Sequence, residues 1–133
     1  MSQENVQIAR RAFESFNRRD LAGAVAAFER DAEWVPYLAA LEEETYRGRD
    51  AIERMWREVL RHLPDFRIEF VQVVADSPDT AVLEVEFRGM GKTSRADIRT
   101  TVYQAASFRD GKVTSVRGFR TAAEALAAVG LRE

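Results

Sequence analysis

The hydrophobic period of this 133-residue chain changes at Pro64, and that change constrains the fold more than any other feature. Ahead of Pro64, apolar residues recur mainly at spacings of three and four, as on a helix with one buried face. Beyond it they alternate, as on strands with one buried face. Val6, Ala9, Ala12, Phe13 and Phe16 predict a helix over 3–18, with Arg10, Arg11 and Glu14 on its far side. Asp20 is placed to cap a second helix, 21–29, whose apolar face is Leu21, Ala24, Val25 and Phe28. Residues 32–35 form a short strand candidate stopped by Pro36, and 37–49 suit a loop or ragged hairpin. Asp50 and Glu53 have capping-box spacing for a third helix, 51–63, with Ile52, Met55, Trp56, Val59, Leu60 and Leu63 as its stripe.

Strands are then expected over 66–75, 80–88, 95–109 and 113–120, with Asp110-Gly111 as the two-residue turn between the last two. Thr121 and Glu124 form a second capping box for a helix over 122–129. Gly130 and Leu131 are spaced for a left-handed cap with a Leu131–Leu126 contact. Helices followed by a meander and a short closing helix predict a single α+β domain over 1–133, with helices on one face of a curved sheet.

Composition removes several kinds of chemistry. The chain has no cysteine, so thiol nucleophiles, disulfides and thiolate metal sites are excluded. Its one histidine, His62, excludes two-histidine metal motifs, and no cofactor is expected. No apolar run reaches the roughly 20 residues of a membrane helix. The opening Met-Ser-Gln-Glu-Asn-Val-Gln lacks the plan of a signal peptide, so a cytoplasmic location without membrane association is expected. The net charge of −2 hides a split: residues 1–87 sum to −7 and residues 88–133 to +5. No basic cluster interleaves with aromatics, so nucleic acid is not an expected partner.

Alternation sorts the strand residues by face. Ala81, Leu83, Val85 and Phe87 go inward, leaving Glu84, Glu86 and Arg88 outside. Ile98, Val102, Ala106 and Phe108 go inward, leaving Asp97, Arg99, Thr101 and Tyr103 outside, where opposite charges on paired strands would form a ladder. Thr100 and Gln104 share the inward parity. A buried amide must find a partner or line a cavity, and the pattern leaves both open. Over 113–120, either Val113, Ser115, Arg117 and Phe119 or Thr114, Val116, Gly118 and Arg120 could face in. Val71, Val73, Val82, Tyr103, Ala105 and Phe119 make the outer face apolar enough to predict a homodimer.

Three local patterns carry little. Gly89-Met90-Gly91-Lys92-Thr93 resembles the end of a phosphate-binding loop, but the required earlier glycine is Glu86 and a strand follows in place of a helix. Glu42, Glu43 and Glu44 point in different directions, as a solvated loop would have them. His62 lies near a helix C-terminus, where it suits the dipole as a surface or rim residue.

The order and spacing of longer pieces is more specific. Phe16-Asn17-Arg18-Arg19-Asp20-Leu21, Asp31-Ala32-Glu33-Trp34, Tyr46-Arg47-Gly48-Arg49-Asp50-Ala51-Ile52, Phe108-Arg109-Asp110-Gly111-Lys112-Val113 and Ala123 to Leu131 together resemble the SnoaL-like branch of the nuclear-transport-factor-2-like superfamily. The resemblance implies a cone-shaped barrel: a strongly curved, mostly antiparallel sheet wrapped around three N-terminal helices, with a deep apolar pocket. Such proteins are commonly homodimers. They include ketosteroid isomerases, polyketide cyclases, epoxide hydrolases and non-catalytic binding modules, so fold alone does not decide function.

Compared with the ketosteroid isomerase pattern, the base position before Pro36 holds Val35, and the oxyanion tyrosine position holds Ala12 beside Phe13. The acid on the long strand matches Gln104. The resemblance turns Gln104, Val116, Gly118 and Arg120 inward and implies a ligand site of Phe13, Phe28, Trp34, Tyr37, Met55, Trp56, Leu83, Val85, Gln104 and Arg120. A small, partly apolar molecule is the implied ligand. Arg120 and Gln104 are the candidates for any catalytic role in isomerase-, cyclase- or hydrolase-like chemistry. The alternative is a non-catalytic binding or protein-interaction module.

Overall fold

A computed structural model describes residues 2–36, 45–90 and 97–131. Tyr37, Glu42 to Glu44 and the run from Gly91 to Thr93 lie outside the described residues. The described elements are α1 (Ser2–Asn17), α2 (Leu21–Val25), β1 (Phe28–Val35), β2 (Tyr46–Arg47), α3 (Arg49–His62), β3 (Arg67–Asp76), β4 (Thr80–Met90), β5 (Asp97–Arg109), β6 (Lys112–Phe119) and α4 (Ala122–Ala128).

The class is α+β, as the change of period predicts. The six strands form one mixed sheet in the order β2-β1-β6-β5-β4-β3. β1 and β6 are parallel, and the other pairs are antiparallel. The sheet is open, with edges at β2 and β3, rather than a closed barrel. β2 is two residues long and β3 has two register shifts against β4, features that discourage pairing beyond an edge. The helices also differ from an N-terminal block of three, because β1 and β2 precede α3.

Two boundaries moved for tertiary reasons. The second helix stops at Val25, and Phe28, whose spacing fits its apolar face, begins β1 opposite Val113. The Val113 N–H donates to the Ala27 carbonyl (2.9 Å), so strand pairing captures a segment with helical spacing. The third helix starts at Arg49 with Gly48 as its cap residue, ahead of the expected Asp50 box.

The tail of α1 is tied to the sheet edge by side chains. Asn17 Nδ2 donates to the Ile68 carbonyl (2.9 Å), and Asn17 Oδ1 accepts from the Ile68 N–H (3.0 Å). The chain then turns through Arg19 (φ 69°), whose guanidinium donates to the carbonyls of Pro64 (2.9 Å) and Phe66 (2.7 Å). Asp20 accepts from the Gly23 N–H and caps α2, as expected.

The face assignment holds along β4 and β5. Leu83 pairs with Gln104 and Val85 with Val102, all buried, while Asp97, Arg99 and Thr101 are exposed. The charge ladder has a different pattern from the expected one. Arg67 lies opposite Arg88 and Arg88 opposite Arg99, while Glu69 lies opposite Glu86. Like charges share a row, and neighbouring rows compensate: Glu86 reaches both Arg88 (3.6 Å) and Arg99 (3.4 Å), and Arg67 reaches Glu69 (3.0 Å).

α4 packs on the outer face, not with the other helices. Ala125 and Leu126 bury Val82 and Ala105, with Tyr103 and Phe119 beside them. Much of the apolar outer surface is thus covered by the chain itself. The helix has both expected ends: Thr121 Oγ1 accepts from the Glu124 N–H (3.2 Å), and Gly130 (φ 72°) lets the Leu131 N–H reach the Leu126 carbonyl (2.9 Å).

Two stability predictions follow from these contacts. Asn17→Ala should cost about 1–3 kcal/mol, because it strips both polar groups of Ile68 of their partner. Arg18→Ala, next door and exposed, should stay within about 0.5 kcal/mol; urea denaturation of both variants checks the contrast. Gly130→Ala should cost about 1 kcal/mol by the same assay. An added Cβ there meets nothing within 4 Å, so the left-handed φ alone sets the cost.

Candidate functional site

α3 and the end of α1 face the inner side of the sheet, and a cavity of about 340 Å³ lies between them. Its deep part is buried: Trp34 from β1, Trp56 from α3, Val102 and Gln104 from β5, and Gly118 from β6. Phe16, Phe66, Ile68 and Phe87 form a second wall. Tyr46, Pro36, Met55, Val59 and Leu63 are half-buried, and Glu58 and His62 are exposed, which places them at the mouth.

The walls are held by a chain of rings. Trp34 meets Trp56 (centroids 5.8 Å), Trp56 meets Phe16 (5.6 Å), Phe16 meets Phe66 (5.9 Å) and Phe66 meets Phe87 (5.3 Å). The first three pairs are near-perpendicular (81–87°) and the last is at 64°, all edge-on arrangements that ring quadrupoles favour. Trp56 Nε1 is buried without a hydrogen-bond partner among the described residues.

Polar groups are few. Asn5 and Gln104 are the only polar or charged residues classed as buried among those described. Asn5 donates to the Pro78 carbonyl (2.9 Å). Gln104 is 3% exposed and lines the cavity, and no hydrogen bond to its amide is present among the described residues. Of the two fates open to a buried glutamine, this is the cavity-lining one. Opposite it in the ladder stands Gly118, which brings no side chain into the space.

At the mouth, the Glu58 carboxylate accepts from Arg61 and from His62 Nε2 (3.2 Å). Those hydrogen bonds hold the Glu58 carboxyl below the usual carboxylate range. No group of His, Asp and Glu among the described residues is arranged to hold a metal ion.

The expected site residues divide into three groups. Trp34, Met55, Trp56 and Gln104 line the cavity. Phe13, Phe28, Leu83 and Val85 are buried in the core but do not line it. Phe28 stands behind the tryptophans, 5.8 Å from Trp34 and 5.7 Å from Trp56. Arg120, expected inside with Val116 and Gly118, is exposed and off the lining, because β6 ends at Phe119 and its alternation ends with it. Tyr37 is outside the described residues. Sequence reasoning missed the mouth pair, yet Met55, Glu58, Val59 and His62 lie three and four apart on one side of α3.

A more open trough of about 860 Å³ runs between α1 and β3. Gln3, Glu4, Gln7, Arg11 and Asp76 dominate its exposed lining, so it does not enclose a ligand as the cavity does. No helix among the described residues is long and apolar enough to cross a membrane.

Comparison with solved structures places the fold among known ones. An NTF2-like protein of unknown function from Burkholderia pseudomallei aligns with a TM-score of 0.77 at 22% identity, covering 93% of this chain and 95% of that one. A protein with a ketosteroid isomerase-like fold from Catenulispora acidiphila, crystallised in complex with trimethylamine, gives 0.74 at 17%, covering 99% and 96%. SalBIII, an epoxide hydrolase/cyclase-like enzyme in pyran ring formation in the polyether salinomycin, gives 0.75 at 17%, covering 91% and 93%. The search of curated proteins finds no match. The SnoaL-like domain model matches residues 9–116, and with the open six-stranded α+β fold this shows that the chain belongs to the SnoaL-like domain family.

Proposed function

We propose that this domain binds a small, mainly apolar ring compound, and that Gln104 anchors the compound's one deep polar group. The observation that carries this reading is the unpartnered amide of Gln104 facing an aromatic-walled cavity. The amide is reached from the cavity, so a ligand that displaces water there must bring a hydrogen bond of its own. A carbonyl or hydroxyl on a ligand would supply the missing hydrogen bond. Ring walls with one placed polar group match the composition of small-molecule sites. Two relatives of the same fold support the reading: one was crystallised with trimethylamine, and the other is an epoxide hydrolase/cyclase-like enzyme. The exposed position of Arg120 favours holding a molecule over polarising it through that guanidinium.

The chain's two tryptophans, Trp34 and Trp56, both line the cavity, so intrinsic fluorescence reports occupancy directly. Ring ketones and phenols from a mixed panel should quench it, and absence of quenching by every member would sink the reading. Gln104→Leu should weaken binding of such compounds about tenfold, while leaving stability unchanged or raised by about 1 kcal/mol. A loss of more than about 2 kcal/mol would instead give the amide a structural role. Arg120→Met should leave binding unchanged.

The homodimer reading retains support from Val71, 48% exposed on β3; Val73, expected on the outer face, instead pairs with inward Leu83 and lines the trough beside α1, because the register shifts after Phe70. Light scattering at micromolar concentration should then give twice the mass of one chain.

A further inference from the structure

Glu58 and His62 line the same cavity as Gln104, at its open end. They lie one helical turn apart on α3, and His62 Nε2 is 3.2 Å from Glu58 Oε1. The carboxylate also accepts from Arg61, and both bonds favour its ionised form. An anionic partner at Nε2 retains the proton on that nitrogen in the neutral imidazole. Nδ1 then carries the lone pair, and no partner for Nδ1 is present among the described residues. In the neutral ring the mouth therefore offers an acceptor at Nδ1, in the tautomer that the Glu58 contact favours. The deep end offers the amide of Gln104, which both donates and accepts.

We propose that His62 Nδ1 accepts a hydrogen bond from an O–H group on the ligand, oriented by Glu58 as a positioning residue. The ligand class is then an apolar ring compound with a phenolic or enolic O–H at the end that stays near solvent. This rests on the reading of the cavity as a binding pocket. It adds a polar contact at the opposite end from Gln104, and so a direction of entry: ring first, hydroxyl last. A cationic ligand is disfavoured, because Arg61 and His62 already occupy Glu58, the one carboxylate among the described lining residues.

The test uses 2-naphthol, which has an O–H, and 2-methoxynaphthalene, which presents the same rings without one. His62 is the chain's only histidine, so its imidazole nitrogen resonances are unambiguous. On titration with 2-naphthol, the Nδ1 resonance should move while Nε2 stays protonated; 2-methoxynaphthalene should leave both in place. Calorimetry should show 2-naphthol binding about three to ten times more tightly than the ether, the worth of one net hydrogen bond. His62→Phe should remove that preference, read as the ratio of 2-naphthol to ether affinity in the same variant. Glu58→Leu should reduce the same ratio and shift the imidazole nitrogen resonances away from the Nε2-protonated pattern, an outcome that a merely structural role for Glu58 would not produce. Equal binding of both compounds, or a preference that survives His62→Phe, would overturn the role of His62 while leaving the pocket in place. Binding of neither compound would overturn this inference together with the pocket itself.

Discussion

The pocket depends on the side-chain clamp that closes the first helix onto the sheet edge. Asn17 pairs with both backbone groups of Ile68 as a neighbouring strand would, and Arg19 gathers the carbonyls of Pro64 and Phe66. Four hydrogen bonds thereby join α1 to the segment that contributes Phe66 and Ile68 to one cavity wall. Phe16, the residue before Asn17, is the ring that links Trp56 to Phe66. The clamp holds the end of α1, and with it Phe16, against the wall that Phe66 and Ile68 form. It also satisfies backbone groups on β3 that an edge strand leaves unpaired.

With that wall held by polar contacts, the interior is left partly unfilled. Core side chains usually interdigitate to crystal-like density. Here Phe13, Leu83, Val85 and Phe28 do so behind the walls, but Gln104 and Gly118 face each other where large apolar residues would close the space. A glycine opposite a lone amide leaves the paired positions short of packing contacts, which reduces stability. Ring-to-ring contacts from Trp34 to Phe87 offset part of that cost. They also keep the walls from collapsing inward, because each ring is held by the next.

Much of this was legible in the sequence, and the reasons differ by element. The strand faces could be read because alternation is strict along β4 and β5, and one buried amide broke the apolar series at Gln104. The ends of α4 could be read because caps depend on local chemistry, at Thr121, Glu124 and Gly130. Helix α2 was over-extended, because the spacing of Phe28 suits a helix and only the distant partner β6 makes it a strand. Arg120 was misplaced by continuing the alternation one residue past the end of β6. The clamp was quoted as a run of letters with no physical role. Its partners lie 45 to 51 residues away, and nothing local marks a side chain that will serve as a strand.

The same logic explains why one helix carries both the lining and the mouth. α3 turns Ile52 and Trp56 into the protein, while Met55, Val59, Glu58 and His62 follow the cavity outward to solvent. A helix crossing the open end of a sheet must pass from buried to exposed along its length, so its stripe grades from ring to aliphatic chain to charge. The polarity gradient of the pocket is thus a consequence of where α3 packs. A ligand that matches it lies with its apolar body against the tryptophans and its polar end toward Glu58 and His62.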